Sequence, residues 1–192
     1  MKLGLTGGIG CGKSTFGKML EQRGWQLVQA DLVARDILNS PEVTARVAAL
    51  FGPGVIGEDG RQDREALGRI VFADKAALEA LEAEIHPRVH AHWQALLARE
   101  PDVRRVVEIP VLFEKSLEAF FDLTVCVHCS QNTQFARLEK RGLPREQALA
   151  RMQAQLPTEE KVRRATLAVY NEGSLDFLAA QADLLTRITA SS

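Results

Sequence analysis

Eight consecutive residues, Gly7-Gly8-Ile9-Gly10-Cys11-Gly12-Lys13-Ser14, concentrate the chemistry of this chain. Glycines let successive backbone N–H groups converge on one anion, Lys13 adds a positive charge on a long arm, and the Ser14 hydroxyl is a hard oxygen ligand of the kind magnesium takes. The segment meets the pattern G-x-x-x-x-G-K-[ST] at every fixed position, the pattern of a loop that cradles nucleotide phosphates. Its neighbours agree. Lys2 to Thr6 reads as a buried strand feeding the loop, and Lys13 to Arg23 has helical spacing, with Phe16, Met19 and Leu20 on one face and Gly24 as a stop. The positive N-terminal end of that helix adds to the anion site.

Phosphate binding alone names no activity. GTPases and motor ATPases need a second apolar strand ending in Asp for magnesium, to which Val106-Val107-Glu108-Ile109-Pro110 is an imperfect match, and no Asn-Lys-x-Asp segment points to guanine selection. A small-molecule kinase is favoured. Such an enzyme needs a group to orient the acceptor hydroxyl and take its proton, and Asp31, at the C-terminal end of the second strand-like run Trp25 to Ala30, is the candidate. General-base help of that kind is worth about 10² to 10⁴ in rate. Asp31 also suits the N-cap of the helix that follows, and both roles can hold.

The elements that must position these groups alternate between strand and helix, which predicts a parallel sheet wrapped by helices. Strands are expected at Lys2 to Thr6, Trp25 to Ala30, Arg105 to Pro110, Leu123 to His128 and Leu167 to Tyr170. Between Asp31 and Arg104 only helices are expected, at about 32–38, 41–51, 64–72 and 75–99, the last interrupted near Pro87. Further helices are expected at Thr133 to Arg141 and Leu175 to about Ile188. The expectation is an α/β protein with the three-layer P-loop NTPase fold and a five-stranded parallel sheet. Its nucleotide-binding core is 1–31 and 103–192, and a helical insertion is 32–102.

The bulk numbers exclude several classes. At 192 residues with 46% hydrophobic and 26% charged residues, the chain reads as one globular unit rather than a disordered or fibrous one. A net charge of -1 argues against a general nucleic-acid binder. From Arg137 to Arg164 eight Lys or Arg face four Glu, which is either a solvated helix face or a local basic patch. No membrane-spanning run or signal peptide is expected, and three cysteines make no disulfide framework, so a reducing cytoplasm is the expected compartment. Cys126-x-x-Cys129 lies in a strand-like run with no second pair to complete a zinc site, so a structural role is expected. Pro87 stands where a metalloprotease helix would carry its Glu, so His86 and His90 are not read as a metal pair. Trp25 and Trp93 read as packing residues.

Beyond the cradle, Ala30-Asp31-x-x-Ala34-Arg35, Asp59-Gly60-x-x-Asp63-Arg64-x-x-Leu67-x-x-x-Val71-Phe72, His86-Pro87, Ile109-Pro110-Val111-Leu112-Phe113-Glu114, then Gln134, Arg137, Arg141, and Arg151-Met152-x-x-Gln155 follow in order along nearly the whole chain. This series resembles the dephospho-coenzyme A kinases. Thr166 stands where that family has Asp before its last short strand, while Asn171-x-Gly173 follows as in the family. Cys11 stands where it commonly has Ser or Ala. Cys11 is thus either a tolerated small residue or, at a helix N-terminus, a thiol open to modification.

The resemblance implies ATP-dependent phosphorylation of the ribose 3′-hydroxyl of dephospho-coenzyme A, with ATP and Mg2+ required. It implies Asp31 as base, with Lys13 and Arg141 also catalytic. Gly8, Gly10, Cys11, Gly12, Lys13, Ser14, Thr15, Arg137, Arg141 and Asn171 would bind the nucleotide, Ser14 the metal, and Thr6, Asp31, Arg35, Arg64, His86 and Glu114 the acceptor. The insertion 32–102 would bind the substrate, and Arg137 and Arg141 would sit on a mobile helical lid at about 134–165, offsetting charge on the transferring group and excluding water. A monomer or weak homo-oligomer without nucleic acid or membrane partners is expected. Two alternatives stay open: a kinase for another small nucleotide-like acceptor, and a non-catalytic ATP-switched regulator.

Overall fold

Leu3, Leu5, Val106, Val107, Val125 and Val127 are buried completely, as strands covered on both faces require. In the computed structural model, which describes residues 1–190 with the side chain of Phe72 excepted, they belong to one five-stranded parallel sheet. The strands are β1 (Lys2–Gly7), β2 (Gln26–Gln29), β3 (Arg105–Glu108), β4 (Leu123–His128) and β5 (Leu167–Tyr170), in the order β2-β3-β1-β4-β5. Gln29 and Leu5 both pair with Glu108, and Gly7 with Val127, so the C-terminal ends of the central strands lie level. In open parallel sheets that edge is where ligands bind.

The chain divides into two compact units, Met1–Gln29 with Glu100 onward, and Ala30–Arg99. In the first, helices α1 (Lys13–Glu21) and α9 (Leu175–Ile188) cover one face of the sheet. Phe16, Leu20, Leu178, Ala182 and Leu185 pack there with Leu3, Leu5, Val106, Val125 and Val127, each large apolar side chain contributing about 1.5–3 kcal/mol of burial. The other face is covered by buried Leu112 and Phe113 and by α8 (Thr158–Arg164), which packs on β1 and β4. Three layers result.

The second unit holds α2 (Ala30–Leu38), α3 (Pro41–Phe51), α4 (Arg64–Ala73) and α5 (Lys75–Arg99). Contrary to the expected interruption, α5 runs through Pro87. A helical proline frees the carbonyl four residues back, here that of Ala83, and both residues lie on the exposed face where water reaches that group. The stripe Ile85, Val89, Trp93 and Leu97, all buried, anchors the helix on either side of Pro87. No helix among the described residues is long and apolar enough to cross a membrane.

Candidate functional site

The loop between β1 and α1 winds around its own amides. Cys11 N–H donates to the Gly8 carbonyl at 3.2 Å, and Gly12, the N-cap of α1, has φ +95°. That conformation suits glycine, and a Cβ on Gly12 would lie 2.2 Å from Asn171 Nδ2. Lys13 is buried, and its Nζ donates to the carbonyls of Gly7 and Gly8, each at 3.1 Å, so the ammonium sits above the loop it serves. Thr15 is half-buried in the first turn of α1.

Three side chains from other elements hold this loop in shape. Gln134, on α6 (Gln131–Glu139), donates from Nε2 to the Ile9 carbonyl at 2.7 Å, and Asn171, just after β5, donates from Nδ2 to the Cys11 carbonyl at 2.8 Å. Arg137, also on α6, donates to the Asn171 carbonyl at 2.9 Å and to those of Gly10 and Cys11, each at 3.5 Å. Arg137 and Asn171, expected to touch nucleotide, therefore grip the cradle itself. Arg141 is apart from them, exposed in the turn after α6. That helix is anchored by Glu172. Hydrogen bonds from Ser130 and then Thr133 hold its carboxyl down at about 2.

Ser14 Oγ donates to Glu108 Oε1 at 2.8 Å, and Gln29 Nε2 donates to Glu108 Oε2 at 2.8 Å. Glu108 is only 6% exposed. In the sequence its apolar strand is an imperfect match to the magnesium strand of GTPases and motors, and nothing there singles out Glu108 as a site residue. Gln29 carried no sequence signal at all.

The remaining expected residues fall in two places. Thr6 Oγ1 donates to the Pro110 carbonyl at 3.2 Å. Glu114 meets the fully buried Lys161 ammonium at 2.7 Å and accepts from Leu156 N–H at 3.0 Å, leaving its buried Oε2 without a partner. In the helical unit, Asp31, Arg35 and Arg64 line one groove of about 350 Å³, whose walls include Leu38, Leu67, Val71 and Leu81. His86 is not among its lining residues; it stacks on His90 with ring planes 5° apart. Asp31 lies in the first turn of α2, directly after β2 in the chain.

Cys126 lies inside β4, its thiol pushed up to about 12 by burial, in keeping with a structural role. Cys129 does not pair with it: its thiol donates to Cys11 Sγ at 3.7 Å. That hydrogen bond, with help from the Lys13 ammonium, brings Cys11 down to about 7 against burial and pushes Cys129 up. Among the described residues no group of three or more His, Cys, Asp or Glu could hold a metal ion.

Comparison with known proteins bears on family and fold. The family model described as "CoaE: Dephospho-CoA kinase" matches residues 1–176. A dephospho-CoA kinase of Frankia casuarinae is 44% identical over 193 residues, covering 96% of this chain and 84% of that protein. A solved protein of Thermus thermophilus superposes with a TM-score of 0.82 at 38% identity, covering 97% of both chains. Dephospho-CoA kinase from Campylobacter jejuni superposes with a TM-score of 0.73 at 26% identity, covering 97% of this chain and 96% of that one.

Proposed function

The chain belongs to the dephospho-CoA kinase family, and we propose that its two units divide the labour of that reaction, one holding ATP and the other the acceptor. The reaction is ATP-dependent phosphorylation of dephospho-CoA in coenzyme A biosynthesis. The hydroxyl phosphorylated is the ribose 3′-OH, which makes this the last step of the route.

The observation that carries the reading is the cradle: glycine amides, a buried lysine ammonium and an aligned serine hydroxyl at the C-terminal end of the central strand. ATP lays its phosphates against the N–H groups from Gly8 to Thr15, and Lys13 turns from the carbonyls of Gly7 and Gly8 to the terminal phosphates. Asp31 accepts the proton of the acceptor hydroxyl as its oxygen attacks the γ-phosphorus and ADP leaves. Arg35 and Arg64 hold the acceptor's phosphates, and the apolar walls of their groove suit its long uncharged arm. Thr6, His86 and Glu114 complete the acceptor set, Glu114 through its unpartnered oxygen. Arg141 closes over the transferring group, where positive charge offsets what develops and water is excluded.

The donor set fits magnesium. One serine hydroxyl backed by a carboxylate is a hard-oxygen set of the kind that suits a cation which keeps waters and binds phosphate oxygens. When bound, the ion would neutralise charge on the phosphates, and Ser14 is its protein ligand. We read the enzyme as a monomer or weak homo-oligomer. Its three free thiols fit the cytoplasm.

The test is ADP release from ATP and magnesium with a panel of dephospho-CoA, nucleosides and shikimate. Turnover with dephospho-CoA and not with the others is expected. Turnover only with another acceptor would overturn the substrate, and nucleotide binding without any turnover would overturn the enzyme.

A further inference from the structure

Cys11 and Cys129 are 118 residues apart in the chain, yet their sulfurs lie 3.7 Å apart, one in the phosphate cradle and one just beyond the end of β4. We propose that this pair is a modification site at which a small peroxide forms a disulfide that locks the cradle out of its phosphate-binding shape. A disulfide needs the sulfurs at about 2.05 Å, so they must close by less than the width of an atom. Rotation of the two side chains supplies part of that approach, and the glycines at 10 and 12 give the loop freedom for the rest.

The oxidant has a way in. Cys129 lines a cavity of about 490 Å³ together with Gly8, Ile9, Gln134 and Thr158. Gly8 has no side chain, and a Cβ built on it would lie 3.1 Å from Cys11 Sγ. Cys11 is itself buried, lying behind Gly8 and close to the side chains of Gln134 and Thr158 that line the cavity, so a peroxide reaches it past Gly8 as the loop moves. The surroundings favour sulfur anion: Lys13 follows two residues on, and Arg137 Nη1 is 3.7 Å from Cys129 Sγ. Cys126, inside the strand, donates to the Val127 carbonyl at 3.9 Å and serves as an internal control.

The step balances. The Cys11 thiolate attacks one peroxide oxygen, the S–O bond forms as the O–O bond breaks, and the departing hydroxide takes up the proton Cys11 had released, leaving a sulfenic acid and water. The Cys129 sulfur then attacks Cys11 sulfur, the S–S bond forms as S–O breaks, and hydroxide leaves with the Cys129 proton as a second water. Two thiols are oxidised and one peroxide is reduced. The resulting bond pulls Cys11 away from the Gly8 carbonyl and from Asn171, the contacts that curve the loop. Misplacement of binding groups by about 1 Å can cost about 100-fold, and a loss of ATP affinity of at least about tenfold is expected here.

The effect on ATP rests on the kinase reading, whereas the cross-link does not. The full-length protein is treated with hydrogen peroxide, mapped as unreduced peptides, and titrated with ATP and magnesium by calorimetry before and after. Expected are a Cys11–Cys129 peptide pair lighter by two hydrogens, unmodified Cys126, weakened ATP binding, and recovery with dithiothreitol. In Cys129→Ser no pair forms, and a sulfenic acid on Cys11 becomes trappable by dimedone. Absence of the cross-link in wild type, or a cross-linked protein that binds ATP as well as the reduced one, overturns the proposal. Failure of the reduced protein to bind ATP counts instead against the kinase reading, with the cross-link judged separately.

Discussion

Ser14 and Glu108 are joined by a 2.8 Å hydrogen bond across 94 residues, with Gln29 held at 2.8 Å on the other carboxylate oxygen. The register of β2, β3 and β1 makes that bond: Gln29 and Leu5 both align with Glu108, so the carboxylate arrives level with the start of the cradle. A buried carboxylate with both oxygens occupied fixes the direction in which the serine lone pairs point.

Glu108→Gln therefore disturbs metal use more than folding. One carboxylate oxygen becomes an NH2 group that donates and cannot accept, so one of the two partners loses its acceptor, and loss of such an orienting group costs about 10- to 100-fold in metal affinity or activity. The expected result is a higher magnesium requirement with an unchanged circular dichroism spectrum. A magnesium titration of turnover that superposes on wild type would remove Glu108 from the site.

Asp31→Asn separates chemistry from nucleotide binding. The amide cannot take a proton, so turnover should fall by about 10² to 10⁴. ATP affinity, supplied by the cradle, should stay as it is. Equal loss of both, or of neither, would contradict the role of general base.

The cradle was legible because its donors are contiguous: eight residues state both the loop and its ligand. Asp31 was legible from its place at the end of the second strand-like run, whereas Arg35 and Arg64 were legible only through their likeness to a family, since nothing in their separate positions says that the three line one surface. What escaped was pairing at a distance. Ser14 with Glu108 and Cys11 with Cys129 depend on strand order, and no local pattern encodes an order of β2-β3-β1-β4-β5. Helix α7 (Arg145–Gln153) falls inside the expected helical lid, but its own bounds were not legible, because Ala148 is its one buried residue, too little to mark an apolar face. At Pro87 local propensity pointed to a break, and the buried stripe on α5 outweighed it.

Gly12→Ala should be severe. The residue sits at φ +95°, and the added carbon would meet Asn171 Nδ2 at 2.2 Å, the group that donates to the Cys11 carbonyl. Backbone strain of this kind costs about 1–3 kcal/mol, and loss of the Asn171 hydrogen bond adds about 0.5–1.5 kcal/mol. A lower melting temperature together with loss of ATP binding is expected. Gly54→Ala, where nothing lies within 4 Å, is the control and should melt at or slightly above wild type. Identical behaviour of the two variants would mean that the cradle tolerates a side chain at its centre.

Glu172 gives a prediction in pH. Its carboxyl lies at about 2 in the folded protein against an ordinary 4.5, because the hydroxyls of Ser130 and Thr133 and the Ser130 amide bond the charged form. Above pH 4.5 the group is ionised in both states, so its contribution to stability is complete and independent of pH. As pH falls below 4.5 the unfolded chain takes up the proton and the folded one resists, so the contribution shrinks, and it is gone near pH 2. Thermal melts of wild type and Glu172→Gln should therefore differ by a constant amount from neutral pH down to about 4.5 and converge below it. The position on the surface keeps that gap small, but its shape is diagnostic, because loss of packing alone would shift the two curves apart equally at every pH. A gap that stayed open at the acid end would mean that the carboxylate does not anchor α6.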